Sequence, residues 1–344
     1  MSRLVTKSLG KTRPARAAAG FTLIELMVAM VLGLIVIAGA ISVFLASQRT
    51  YRTNQALSDV QENARIAFEL MARDIRDAGL TGCNNNGRVA NVLKNSPAGG
   101  GTAWWANWGN ALVGFDSGQS DPAIGTSMPS RSGDTDSLEL LGADDSGLSV
   151  ASHDPTSAQF TLNETSSDLQ PGDVVVVCDP DHAAIVQVTN YNSSNVTLVH
   201  NPGEGTPGNC SKGLGYPTVC MTNGNAYAYG PNSQIAKLSA VDWYIGDNSA
   251  GGHSLYRVSV ATNAGAPTPT AQEMVRDVTD MEIVYHRSSD TKFGTATDIA
   301  GNWASVDAVR VTLTMESVDK RAGTDVKPIT REFTATTTVR NRVP

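Results

Sequence analysis

The stretch GFTLIELMVAMVLGLIVIAGAISVFLA, residues 20–46, decides how the rest of the chain is read. From Phe21 to Ala46 its only formal charge is Glu25. About 26 residues of helix, rising about 1.5 Å each, reach about 39 Å, more than the roughly 30 Å of a bilayer's hydrocarbon core. A carboxylate in such a segment costs several kcal/mol and is kept where it finds a partner.

Working upstream, the residues before Gly20 carry Arg3, Lys7, Lys11, Arg13 and Arg16 and no acid. A basic leader before an apolar segment predicts that the leader stays cytoplasmic and the remainder crosses. A secretory signal peptide has a shorter apolar core with small residues after it. Here the run is long, and Ala17, Ala18, Ala19 and Gly20 precede it, so a cut falls on the cytoplasmic side. The whole chain has a net charge of −7, so the part beyond the leader is more acidic still. That balance argues against general nucleic-acid binding, which needs clustered Lys and Arg.

Working downstream, residues 48–78 contain no Gly or Pro, and Leu57, Val60, Ala64, Ala67 (with Phe68), Met71 and Ile75 recur at helical spacing. One apolar stripe predicts an amphipathic continuation, with Gly79 as its C-cap. The two segments together predict one helix of about 55 residues, about 80 Å long. Residues 80–131 read as loop, with an aromatic cluster at Trp104, Trp105 and Trp108. Strand patterns follow at 137–143, 158–163, 173–179, 184–191 and 195–200, then at 237–246, 254–260, 281–287, 308–317 and 330–342. Strands after a single long helix predict an α+β fold whose head is an antiparallel β-sheet. The expected organisation is a cleaved leader (1–20), a transmembrane and assembly helix (21–47), its amphipathic continuation (48–79) and a β-rich head (80–344).

The junction resembles the class III signal segment of type IV pilins and type II secretion pseudopilins. The matching features are the basic leader, Gly20–Phe21, Thr22, Leu23, Glu25, the long apolar run and its amphipathic continuation. The resemblance implies cleavage by prepilin peptidase between Gly20 and Phe21 and N-methylation of Phe21. It implies that Glu25 meets the N-terminal amine of a neighbouring subunit when helices stack in a fibre, against the plainer reading of an interfacial glutamate near the headgroups. Main fibre subunits commonly carry a proline midway along this segment, and none occurs here between Phe21 and Ala78, although Gly33 and Gly39 do. That absence, and the length of the chain, lean toward a minor subunit. VQENARIAFELMARDIRDAGLTGC (60–83) and the order SLYRVSV, MVRDVTDMEIVYHR, WASVDAVRVTLTMES and REFTATTTVRNR are similar to PilW-type minor pilins. The resemblance implies a non-enzymatic minor pilin, without cofactor, that primes or caps fibre assembly. Its implied partners are the peptidase, other minor pilins, the major pilin, the inner-membrane assembly platform and membrane lipid. Its implied place is the inner membrane, single-pass with a periplasmic head, and then the fibre, in service of motility or adhesion. A type II secretion pseudopilin and an adhesin-like tip module are the alternatives.

The remaining constellations are less specific. Four cysteines, Cys83, Cys178, Cys210 and Cys220, all follow the apolar run. In an oxidising compartment they suggest two disulfides, Cys210 with Cys220 and Cys83 with Cys178. A zinc site competes, but the spacings are not those of paired CxxC motifs. CDPDH (178–182) and GADDSG (142–147) are read as turns, with a metal site as the alternative. His153, His182, His200, His253 and His286 show no ligand spacing, and no GxSxG, P-loop or GxGxxG motif occurs. Trp104, Trp105 and Trp108 are either buried under a loop or an exposed binding surface.

Overall fold

The computed structural model describes residues 20–83, 88–144 and 147–340. The basic leader before Gly20, and Asp145 and Ser146 of GADDSG, lie outside the described residues. The chain divides into two compact units, one up to Asn54 and one from Gln55 onward. A single helix, α1 (Leu23–Asp77, 55 residues), belongs to both.

In the first unit the apolar side chains of α1 are exposed: Leu23, Ile24, Leu34, Val36 and Phe44 are each more than half accessible. By length and composition this helix is apolar enough to cross a membrane. In the second unit its face is selective. Ala56, Val60, Ala64, Ala67, Met71 and Ile75 are buried, and Leu57 is half-buried beside Ala56. The helix ends at Asp77, and Gly79 adopts φ 76°, a left-handed conformation that costs glycine nothing. Its N–H donates to the Leu141 carbonyl at 2.7 Å.

The strands follow in chain order. β1 (Val89–Asn91) and β2 (Leu112–Phe115) lie in the segment read as loop. β3 (Ser137–Ala143), β4 (Leu148–Asp154), β5 (Gln159–Leu162), β6 (Val174–Cys178), β7 (Ala183–Gln187), β8 (Asn190–Asn192) and β9 (Thr197–Val199) come next. β10 (Gln234–Asp247), β11 (His253–Asn263) and β12 (Ala266–Arg276) make long hairpins. β13 (Val278–Arg287), a short helix α2 (Ala296–Ile299), β14 (Val306–Glu316) and β15 (Thr330–Thr338) complete the described chain. β1 to β12 form one sheet, and β13, β14 and β15 form a second, antiparallel one. β10 is the hub, pairing with β3, β4, β6 and β11.

The expected antiparallel sheet needs one correction. β1 runs parallel to β7, with Val89 opposite Ala183 and Asn91 opposite Ile185. A parallel pair needs a long crossover, and residues 92–182 supply it. β12 is a second departure: it lies outside every strand read from the sequence, and it carries Pro267 and Pro269. It pairs with β11 alone, and an edge strand tolerates prolines because it owes no hydrogen bonds on its outer side.

Alternation explains the core. In β6 every residue is buried, but to opposite sides: Val174, Val176 and Cys178 join one cluster and Val175 and Val177 another. β14 instead has one buried face, with Val309, Val311, Leu313 and Met315 inward and Arg310, Thr312 and Thr314 half-buried opposite. The inward face meets the helix stripe in a cluster with Leu138, Leu140, Trp243, Met281 and Ile283. Gly142 sits where α1 ends against β3. A Cβ there would stand 2.6 Å from the Asp77 carbonyl oxygen, so the close approach requires glycine.

Candidate functional site

The junction is open to solvent. A Cβ added at Gly20 would meet nothing within 4 Å, and Phe21 is 83% exposed. Thr22 begins the helix: its hydroxyl accepts the Glu25 N–H at 3.3 Å, and its carbonyl accepts the Leu26 N–H at 3.1 Å. TLIE is thus a Thr-x-x-Glu helix start, with Glu25 in the first turn, where the helix dipole favours a carboxylate. Further along, the Ser42 and Thr50 hydroxyls donate to the Gly39 and Ala46 carbonyls at 2.8 and 3.1 Å. Their polar hydrogens are spent inside the helix, which leaves its surface apolar.

At the other end α1 is clamped. Asp74 accepts the Trp243 indole N–H at 2.9 Å and the Arg257 guanidinium at 2.8 and 3.2 Å. The two donors come from the facing positions of β10 and β11. Nothing in the local spacing announced this clamp, because its three members are up to 183 residues apart.

Two disulfides tie the second unit. Cys83 is bonded to Cys178 and Cys210 to Cys220, with Cα separations of 5.8 and 5.0 Å, and no described cysteine is free. Thiolates engaged in disulfides leave no zinc ligand set. The CDPDH segment is a turn: Asp179 accepts the backbone N–H groups of Asp181 and His182 and, at 2.7 Å, the Tyr227 hydroxyl. Asp181 is taken by Arg88 and by His182. Among the described residues no three His, Cys, Asp or Glu are grouped to hold a metal ion.

The exposed-tryptophan reading is corrected. Trp104 and Trp105 are 8% and 6% exposed and pack with Leu93, Ile185 and Tyr244, with Trp108 half-buried against the same cluster. The Asn91 side-chain amide donates to the Ala106 carbonyl at 2.7 Å and holds the turn that carries them down. Large rings beside an apolar cluster bury area more favourably than they expose it.

Two buried polar groups assemble from residues that no sequence spacing brings together. Glu139 and Asp242 face each other across the β3–β10 pair, and Asp121 from the preceding loop joins them. Asp121 accepts the Ser137 hydroxyl and the Ala123 N–H, but neither oxygen of Asp242 has a donor. Burial, and then the neighbouring Asp121, push the Glu139 carboxyl up to about 9. The Asp242 carboxyl is raised by burial, Asp121 and Glu139. In the second group His153 stacks on Phe160 at 4.1 Å and lies 5.6 Å from His200. Burial holds the His153 imidazole down to about 4; burial and then His153 hold that of His200 down to about 3.

Residues 242–342 match the family described as Type IV Pilus-assembly protein W. Residues 15–41 match the prokaryotic N-terminal methylation motif. The chain is pilin-like at both ends. No curated protein and no solved structure matches. The C-terminal match takes in Trp243 and Arg257 of the clamp and the whole β13–β14–β15 sheet. The methylation match takes in Gly20, Phe21 and Glu25. A membrane-anchored pilin precursor agrees with the single apolar N-terminal helix.

Proposed function

We propose that this chain is a minor pilin of a type IV pilus, cut between Gly20 and Phe21 by prepilin peptidase and N-methylated on Phe21. The observation that carries the reading is α1 itself, apolar and exposed over its first half and buried along one stripe over its second. The first half anchors the precursor in the inner membrane, leader inside and head in the periplasm. After cleavage it leaves lipid for a bundle of like helices. Glu25 then meets the new amine of a neighbouring subunit, and each charge has a partner in a water-poor place. The head, residues 80–344, supplies contacts to other minor pilins and to the major pilin in a complex that primes fibre growth at the inner-membrane assembly platform.

The test is the surface fibre count by electron microscopy in cells lacking the gene, with export of a secreted reporter followed in parallel. Lost fibres with normal export is the expected result. Normal fibres with blocked export would move the chain to a secretion pseudopilus.

A further inference from the structure

Six strands lie at sheet edges among the described residues: β1, β2, β8, β12, β13 and β15. An edge presents unpaired N–H and C=O groups, and proteins shorten, cover or interrupt it to keep other strands away. β1, β2 and β8 have three, four and three residues. β12 carries Pro267 and Pro269. β13 is long but covered. Its Ile283 N–H donates to the Asp136 carboxylate at 2.7 Å, and its Met281 carbonyl accepts the Asp136 N–H at 2.9 Å. Tyr285 exchanges both backbone bonds with Gly294 at 2.8 and 2.9 Å. β15 has none of these protections: nine residues, TREFTATTT, without proline.

The pairing with β14 settles which groups of β15 point outward. The Ser317 N–H donates to the Ile329 carbonyl and the Val339 N–H to the Asp307 carbonyl, each at 2.9 Å, in register with the β14–β15 ladder. Bonded pairs recur at every second residue of an antiparallel ladder. Arg331, Phe333, Ala335 and Thr337 therefore turn their backbone groups toward β14. Those of Thr330, Glu332, Thr334, Thr336 and Thr338 turn away. The Arg331 guanidinium covers the Thr330 carbonyl at 3.0 Å.

The two faces of β15 define what fits beside it. Phe333, Ala335 and Thr337 are half-buried, and Phe333 packs on the helix-side core. Glu332, Thr334, Thr336 and Thr338 are exposed on the other face. There the Thr334 and Thr312 hydroxyls lie 3.0 Å apart, and Arg310 donates to the Thr336 hydroxyl at 3.2 Å. A further strand continues both layers if it is alternately apolar and polar.

We propose that β15 is a docking edge that takes an extended, alternately apolar and polar segment of a different fibre protein as a fourth strand of the β13–β14–β15 sheet. The choice of partner rests on the assembly reading above: Glu25, in the first turn of α1, meets a neighbour's N-terminal amine, which sets the bundled helices parallel. A second copy pairing antiparallel through β15 is related by a two-fold axis normal to the sheet. That axis reverses the helix packed on it, so a second copy does not fit.

The test uses the full-length chain in producing cells, with a photo-reactive side chain placed singly at position 334, at 270 on proline-bearing β12, or at 35 on α1. We expect an adduct at 334 with another protein, mapped by mass spectrometry to an alternating segment, and none at 270. Thr336→Pro removes an outward N–H and no backbone bond to β14; it should abolish the 334 adduct while both disulfides still form, and Thr336→Val, which loses the same Arg310 contact to the hydroxyl, should keep it. Glu332→Pro repeats the test if Thr336→Pro loses its bridges, and if both do, the 334-against-270 comparison decides. No adduct at 334, an adduct only with a second copy, or an adduct that survives the proline overturns the proposal. An adduct at 35 without one at 334 overturns the docking edge and leaves the fibre reading standing. An adduct at 334 without one at 35 leaves β15 a docking edge but overturns the fibre reading, and with it the choice of a fibre protein as the partner.

Discussion

Glu25 combines two demands on one carboxylate. In the isolated chain it sits in the first turn, beside the Thr22 cap; in the proposed fibre it answers a neighbour's amine. Changing Glu25→Ala should therefore leave cleavage intact, as read by N-terminal mass, and lower recovery of the chain in sheared fibres. Wild-type recovery would remove the proposed role. Gly20→Ala should leave the precursor uncut, and normal processing of that variant would disprove the junction. Glu139 is the opposite case, a buried carboxyl beside two others. Facing Asp242 and Asp121 without a donor for Asp242, it keeps its proton in the folded head. Glu139→Gln should be tolerated at neutral pH, because it replaces a protonated acid by an isosteric neutral amide.

At the scale of elements, the long helix is held to the sheet by an apolar stripe and one charged clamp. Asp74→Ala leaves the Trp243 indole N–H and the Arg257 guanidinium without their acceptor. Leaving a buried donor such as the Trp243 N–H unpaired costs about 1–3 kcal/mol. Denaturant melts of the detergent-solubilised chain should show that loss; a change below about 0.5 kcal/mol, the scatter of ordinary surface substitutions, would mean the clamp is ornamental. The stripe was legible in the sequence because it needs only the 3.6-residue period. Ala56 replacing Leu57 as its first fully buried member is a rotation of one position, set by contact with Ala322 and Ile329.

For the whole molecule the two buried groups set opposite pH slopes. Glu139, at about 9 when folded against an ordinary 4.5, binds its proton more tightly in the folded state. Its contribution is full below pH 4.5 and is lost as pH rises toward 9; Asp242, also raised, acts in the same direction. His153 and His200, held down to about 4 and about 3, take up protons only when unfolded, so their contribution is lost as pH falls below 6.5. The histidine slope has ended above pH 6.5, and there stability should fall with rising pH by about 1.4 kcal/mol per unit for each proton released. Melts between about pH 6.5 and 9 should show that fall, and Glu139→Gln should flatten it; an unchanged slope in the variant would put the titrating proton elsewhere. Reduction is a separate lever. The Cys83–Cys178 bridge spans 95 residues, and removing a long-loop disulfide typically costs about 2–5 kcal/mol. The non-reduced protein should contain no alkylatable thiol and should melt well above its reduced form.

The sequence by itself determined the helix, its buried stripe and most of the long strands, because each is written in neighbours a few residues apart. Tertiary structure alone decided the rest. The parallel β1–β7 pair, the proline-bearing β12, the Asp74 clamp, the buried Asp121–Glu139–Asp242 group and the burial of Trp104 and Trp105 all depend on partners brought from distant parts of the chain. A hydrogen-bond partner or a covering surface that arrives from far along the chain leaves no periodicity behind it. The open edge of β15 belongs with these, since a strand announces its own pattern but not whether anything lies beside it.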